Sequence, residues 1–237
     1  MFYYGIDLTY IVLVLPAIIF SLIASANVNR TFDKYSKVHN SRGLTGSQAA
    51  RQILDANGVH NVRIENISGK LTDHYDPKAN VIRLSDSVYN SSTSAAVGVA
   101  AHECGHAIQH STGYLPIKIR TAIVPITNIG SKLSIPLILI GIALAAMSQY
   151  AIALAYIGVA LFAFSFIFQL VTLPTEFNAS RRAVATIEEM GLLEGKDLKG
   201  CKKVLTAAAM TYVAALAVAL MQLIRLLLIV QRNNRRR

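Results

Sequence analysis

Residues 91–113 read SSTSAAVGVAAHECGHAIQHSTG. Ser91 to Ser94 offer the hydroxyls that a helix start needs, helix formers fill the middle and Gly113 supplies a stop, so the stretch predicts one helix. Inside it, residues 102–106 spell His-Glu-Cys-Gly-His, an HExxH pattern. On a helical period His102 and His106 lie one turn apart on one face, where two imidazoles can bind one Zn²⁺ at about 2.0 to 2.1 Å. Glu103 sits beside them and can reach a metal-bound water without ligating. Zinc brings the pKa of such a water near 7, so a carboxylate suffices as its base. With six His and six Glu in 237 residues, chance produces this pattern well under about one time in a hundred. Its neighbours are Ala, Val and Ile on nearly all sides, and burying two His and a Glu without a joint purpose is costly. Gly105 is read as leaving room beside the metal.

Two histidines leave such a site one protein ligand short. The extended pattern HExxHxxGxxH fails, because Gln109 and Thr112 occupy the places of its Gly and last His. Asp73, His74, Asp76, His110 and Glu65 compete for the third position, and Glu176 fits best. It lies in LPTEFNASRRAVATIEEMGLL (173–193), directly after a long apolar run. There Pro174 favours a helix start, and Phe177, Ala179, Val184 and Ile187 form an apolar stripe. Arg181 and Arg182 follow on the same helix, either steadying a developing oxyanion or serving as a juxtamembrane positive pair. His110, one turn beyond His106, reads as a helix-end cation.

The composition places this chemistry at a membrane. Hydrophobic residues make up 53% of the chain and charged residues 15%, against roughly 25% charged in an average soluble domain. Disorder and a plain cytosolic domain are excluded. The net charge of +10 is too scattered for a nucleic-acid face. Cys104 and Cys201 are too few for a disulfide framework and read as free thiols on the reducing side. Leu8 to Ala26 is nearly all apolar and long enough to cross roughly 30 Å of hydrocarbon. Lys132 and Glu176 enclose 43 residues without a charge, broken by Ser148, Gln149 and Tyr150. This predicts a hairpin of helices, Leu133 to Met147 and Ala151 to Leu173, the first short enough to begin upstream, tilt or sit shallow. A fourth run covers Val204 to Ile224 and resumes after Arg225 up to Val230. At membrane depth Arg225 must find a partner or snorkel.

Arg30, Lys34, Lys37 and Arg42 follow the first run and nothing basic precedes it, so the amino terminus is expected outside and residue 30 onward in the cytoplasm. The basic tail from Arg232 to Arg237 conflicts with a full fourth crossing, so the last segment is expected to cross incompletely. The tail then serves as a membrane-surface anchor. The expected organisation is a transmembrane helix over 1–29, a cytoplasmic part with the HExxH helix over 30–132, the hairpin over 133–173, a second part with the Glu ligand over 174–203, and an apolar helix with its basic tail over 204–237. Within the first soluble part, Ser47 to Gly58 predicts a short amphipathic helix. Asn61 to Ser68 and Asn80 to Asp86 alternate as two antiparallel strands about the linker GKLTDHYDPKA.

At HECGHAIQH (102–110), LTDHYDPKANVIRLSDSVY (71–89) and LPTEFNASRRA (173–183) the chain resembles the YugP-like family of bacterial membrane zinc metallopeptidases and, more distantly, the HtpX-like membrane proteases. The likeness spans nearly the whole chain, including the first apolar segment and the hairpin. It implies a gluzincin-like arrangement in which one helix supplies His102, His106 and the base Glu103, and a second supplies Glu176. Where the HtpX-like form carries an Asp four residues after that Glu, this chain has Ser180, whose hydroxyl is a candidate support for a histidine. The likeness also implies that an edge strand formed by Asn80, Val81, Ile82, Arg83 and Leu84 takes a substrate peptide as an added strand.

The expectation is therefore a mainly α, multi-pass membrane protein whose gluzincin-like HExxH zinc-peptidase domain carries a small β-sheet. It holds one Zn²⁺ and hydrolyses peptide bonds of peptide or protein substrates, membrane proteins among them. The lipid bilayer is a partner and nucleic acid is not; no oligomeric state is legible. The alternative is a non-catalytic membrane metal-binding scaffold or adaptor. A transporter with a cytoplasmic metal site is weaker, because the apolar runs carry no other charge to line a path.

Overall fold

The computed structural model describes residues 7–148 and 150–235; Gln149 of the expected polar break and the tail residues Arg236 and Arg237 lie outside the described residues. Among the described residues, four helices are long and apolar enough to cross a membrane: Tyr10–Tyr35, Leu115–Leu144, Ala151–Glu189 and Gly195–Arg235. The first opens with a π-helical turn (Tyr10–Val14) before α1 (Leu15–Tyr35). The chain divides into two compact units. One joins residues 24–118 to 174–211, and the other joins 1–23, 119–173 and 212–237.

In the first unit α2 (Gly46–Ala56) starts at Thr45, which exchanges hydrogen bonds with Gln48 in a capping box, and it buries Ala49, Ala50, Ile53 and Leu54. Three strands follow, β1 (Arg63–Ile67), β2 (His74–Asp76) and β3 (Val81–Ser85), then the short α3 (Asp86–Tyr89) and α4 (Ser94–Ser111). α4 is capped by the Thr93 hydroxyl and is followed by Gly113 at φ +65°, as the opening stretch predicts. The core joins Ile53 and Leu54 of α2, Ile82 and Leu84 of β3, and Val97 and Cys104 of α4, with Ile187 and Val204 from later in the chain.

The sheet corrects two expectations. Its order is β1-β3-β2, with β1 and β3 parallel, Arg63 opposite Val81 through Ile67 opposite Ser85. They are not the antiparallel pair expected across the linker. That linker itself contains β2, which pairs antiparallel with the other side of β3. β3 is therefore the central strand, with Val81, Ile82, Leu84 and Ser85 buried, and Asn80 precedes it at φ +52°. Asn80 to Leu84 cannot take an added strand, because both of its sides are already paired; the outer strand beside it is β2. A strand buried on both faces loses the alternation that marks an exposed one.

In the second unit the hairpin packs backbone to backbone through small residues. A Cβ on Gly141 would meet the Ala155 nitrogen at 2.4 Å, and one on Gly158 would meet the Ser134 carbonyl at 2.6 Å. Ile138, Ile142 and Val159 share a buried cluster with Leu226 and Val230. The first hairpin helix, α5 (Leu115–Leu144), begins upstream of the apolar run. The second, α6 (Ala151–Glu189), runs through Pro174 without a break, where a new helix start was expected. A proline inside a helix costs about 3 kcal/mol, and the buried face Glu176, Ala179, Ala183 and Ile187 keeps the helix going. The last helix, α7 (Gly195–Arg235), is likewise unbroken. Arg225 finds the partner that the sequence does not name. Its Nε lies 3.4 Å from an Asp7 oxygen, and its guanidinium stands 5.3 Å from the centre of the Tyr10 ring. The apolar run of α7 thus passes beside the start of the first helix.

Candidate metal centre

α4 carries His102 and His106 one turn apart, their rings edge to face with centroids 4.7 Å apart. What brings α6 against them is Gly105. A Cβ there would meet the Ala179 carbonyl oxygen at 2.6 Å and its Cα at 3.0 Å. The space that glycine leaves is thus filled by the α6 backbone. This contact sets Glu176, only 1% exposed, opposite both imidazoles. One Glu176 oxygen, Oε2, lies 3.2 Å from His102 Nε2 and 3.4 Å from His106 Nε2. Ligands at about 2.05 Å around a tetrahedral ion stand about 3.3 Å apart, and those two separations match that spacing. The three residues can offer ligand atoms that all lie within 4.8 Å of one another. Two nitrogens and a carboxylate oxygen are a donor set that suits zinc and leaves a fourth position open.

The electrostatics match. Burial alone would raise the Glu176 carboxyl, but the hydrogen-bonded imidazoles of His102 and His106 hold it well below the usual carboxylate range. Burial would lower His106, yet Glu176 and Glu103 together raise it. Without a metal, the carboxylate therefore favours the protonated form of the His106 imidazole.

Each histidine is held from behind. His102 Nδ1 is 3.1 Å from the Ser180 hydroxyl, the contact that Ser180 was a candidate to make. His106 Nδ1 is 3.0 Å from Gln109 Oε1. The Gln109 amide is fully buried and has no freedom to flip. Its Nε2 donates to the Thr175 carbonyl at 2.8 Å and to Asn178 Oδ1 at 3.0 Å, which leaves Oε1 as acceptor and puts the ring proton of His106 on Nδ1. Arg182 Nε donates to the same Asn178 oxygen at 2.8 Å and its guanidinium stands 5.9 Å from the Tyr114 ring centre. Arg182 thus joins the support behind His106, while Arg181 is exposed.

Glu103 stays outside the three-residue group. Its Oε2 accepts the Tyr75 backbone N–H at 2.9 Å, and the side chain is largely buried. Since the Tyr75 N–H points at Glu103, it is not used in the ladder to β3, and the outer edge of β2 faces the carboxylate. The other candidates for the third position go elsewhere. Asp73 accepts the Ser85 N–H and hydroxyl at 2.7 and 3.0 Å, and its carboxyl is raised by burial in spite of those bonds. Asp76 and Glu65 pair with Arg83, His74 Nε2 lies 3.4 Å from the same guanidinium, and the His110 ring packs on Tyr75. Cys104 and Cys201 are both free and buried.

Sequence reasoning missed Gln109, Asn178 and the Tyr75 amide. Gln109 carried a signal, a long polar side chain three residues after a ligand histidine in an otherwise apolar helix. The other two depend on contacts between distant segments and carried none.

The profile of the family described as "Putative neutral zinc metallopeptidase" matches residues 10–231. The chain is 43% identical over 220 residues to the "Putative membrane protease YugP" of Bacillus subtilis (strain 168), a likeness that covers 93% of this chain and 96% of that protein. No solved structure matches.

Proposed function

Because the chain belongs to the family described as "Putative neutral zinc metallopeptidase", we propose that it is a membrane-bound, zinc-dependent endopeptidase with Glu103 as its base. The ligands are His102, His106 and Glu176, in a gluzincin-like arrangement. The observation that carries this reading is the pair of separations from Glu176 to the two Nε2 atoms, 3.2 and 3.4 Å, with Glu103 left out of that group. The peptidase domain combines residues 30–132 and 174–203 and faces the cytoplasm, between membrane segments 1–29, 133–173 and 204–237. Arg30, Lys34, Arg181 and Arg182 on its side support that orientation.

Bound zinc would supply a Lewis acid that polarises the scissile carbonyl and acidifies the attacking water. Glu103 takes the proton from that water and gives it to the leaving amine. The Tyr75 N–H steadies the carboxylate that does so. Ser180 and Gln109 fix the ring orientations of His102 and His106, so the imidazoles present Nε2 to the metal. A substrate peptide lies beside β2 and does not pair with Asn80 to Leu84, and the Tyr75 N–H on that edge stays with Glu103.

The test is a Glu103→Gln variant of the full chain in detergent, assayed for zinc content and for cleavage of an unfolded protein such as casein. Full zinc with cleavage abolished is the expected result. Undiminished cleavage overturns the mechanism, and a wild-type protein that binds zinc but cleaves nothing in detergent or in vesicles establishes the scaffold reading instead.

A further inference from the structure

Four cations, Arg30, Lys34, Lys202 and Lys203, line one groove of the first unit, and among the described residues no carboxylate lines it. The groove, about 510 Å³, runs between the end of α1 and the start of α7. α1 contributes a stripe that includes Arg30, Thr31 and Lys34, and α7 contributes Lys203, Thr206 and Met210. The nearby acids are already engaged: Asp33 with Lys70 at 2.6 Å, and Glu188 with Lys202 at 2.6 Å. Asp197 accepts from Ser41. Among the described residues, no ion pair involves Arg30, Lys34 or Lys203. Two helices far apart in sequence thus aim their unneutralised charges into one space.

The groove is also polarised along its length. Tyr35 packs over Gly200, whose Cβ would meet its ring at 2.7 Å, so α1 and α7 run antiparallel here. Lys34 and Lys203 lie toward the Tyr35 end and Arg30 midway, while Ala207 and Met210 lie at the opposite end beside the Asn27 amide. From that opposite end both helices continue as apolar runs, back to Leu15 in α1 and on to Ile224 in α7. Arg30 is the first charge after one run and Lys203 the last before the other. A cationic groove with hydroxyls from Thr31 and Thr206, from which both helices continue into apolar runs, fits a molecule with a phosphate at one end and hydrocarbon at the other. The volume lies in the roughly 300–1,000 Å³ range of small-molecule sites.

The geometry points to a binding site for the headgroup of an anionic phospholipid between α1 and α7, with Arg30, Lys34 and Lys203 on the phosphate. Phospholipid is favoured over a free phosphate compound because the apolar runs beyond the groove would leave a free phosphate with nothing to bind there. The site stands apart from the metal centre and needs no zinc.

The test places the full-length protein in phosphatidylcholine vesicles that hold a trace of spin-labelled lipid, and compares the immobilised fraction of labelled phosphatidylglycerol with that of labelled phosphatidylcholine by electron paramagnetic resonance. Wild type is expected to prefer phosphatidylglycerol, and each of Arg30→Gln, Lys34→Gln and Lys203→Gln to weaken that preference by roughly fivefold or less. The triple variant should abolish it. Arg30→Lys with Lys34→Arg and Lys203→Arg should restore it, which separates lost charge from lost fold. A control that removes Lys37, Arg42 and Lys199, exposed cations outside the groove, should keep the preference. Equal losses in the control and in the groove variant would mean a diffuse positive field and overturn the site, as would a triple variant that behaves like wild type. Release of labelled phosphatidylglycerol by millimolar inorganic phosphate, at matched ionic strength, would overturn the phospholipid assignment in favour of a free phosphate ligand.

Discussion

Replacing Gln109 by leucine should weaken zinc binding without touching a ligand. The side chain is fully buried and makes three hydrogen bonds, to His106 Nδ1, the Thr175 carbonyl and Asn178 Oδ1. Leucine fills similar space and removes all three. At about 1 kcal/mol net for each, the fold should lose about 3 kcal/mol. The freed His106 ring can turn about its bonds, and loss of such an outer partner lowers metal affinity by about 10- to 100-fold. A second substitution separates the two effects. Gln109→Glu keeps an oxygen facing His106 Nδ1, and a charged acceptor makes that bond stronger. The same change sets a carboxylate oxygen against the Thr175 carbonyl and Asn178 Oδ1, both acceptors, so the fold weakens while zinc affinity holds. Chelator competition at neutral pH measures the affinity and thermal unfolding in detergent measures the stability. Zinc affinity unchanged in Gln109→Leu would refute the reasoning, because the amide would then serve only the packing between α4 and α6.

Other consequences can be tested in the same preparation. Glu176→Ala should bind zinc far more weakly than wild type; full occupancy by metal analysis would remove Glu176 from the ligand set. Gly105→Ala drives a methyl into the Ala179 carbonyl, 2.6 Å away, and should cost about 1–3 kcal/mol while parting Glu176 from the histidines, so zinc affinity and thermal midpoint should fall together. Stability should depend on pH in opposite senses with and without metal. Without zinc, the raised His106 stabilises fully below its unfolded value of about 6.5 and ceases to as pH rises through its folded value, while the depressed Glu176 contributes above about 4.3 and is lost as pH falls through its own. Zinc must displace the His106 proton, so the rise in unfolding temperature on adding zinc should grow from pH 5.5 to 7.5; a rise that is the same at both would contradict the coupling. Burial pushes the Cys201 thiol up to about 12 and raises Cys104 as well, so neither should react with a thiol reagent until the protein is unfolded.

What could be read from the sequence was whatever repeats within one helix. The HExxH helix, its Thr93 start, the amphipathic α2 and the long apolar runs each follow from a local period, and each is present. Pairing between strands is not local. β1 and β3 looked like neighbours in a hairpin, because the short β2 hidden in the linker has only three residues, His74 to Asp76, too few to show an alternation. Once β2 takes one side of β3, β1 must take the other, and the parallel register follows. Pro174 misled for a related reason. Its local meaning is a helix start, yet the residues after it are buried against α4, and that packing outweighs the lost hydrogen bond.

The same distinction runs through the metal centre. His102, Glu103 and His106 lie within five residues of one helix, so their spacing was enough to make them candidates. Glu176 is 70 residues from His106, and only its position beside the membrane exit, with the family likeness, singled it out among six acids and histidines. The supports divide in the same way. Ser180 answers His102 across a separation of 78 residues, and the likeness pointed to it. Gln109 answers His106 from three residues away, within reach of a local reading, and was passed over because it was weighed only as the missing glycine of a longer motif. A fully buried glutamine on an apolar helix has to spend its two donors and its acceptor on something. When it stands one turn from a candidate ligand, the nearest acceptor-seeking group is that ligand's second nitrogen, so the absence of one motif was itself the signal for another contact.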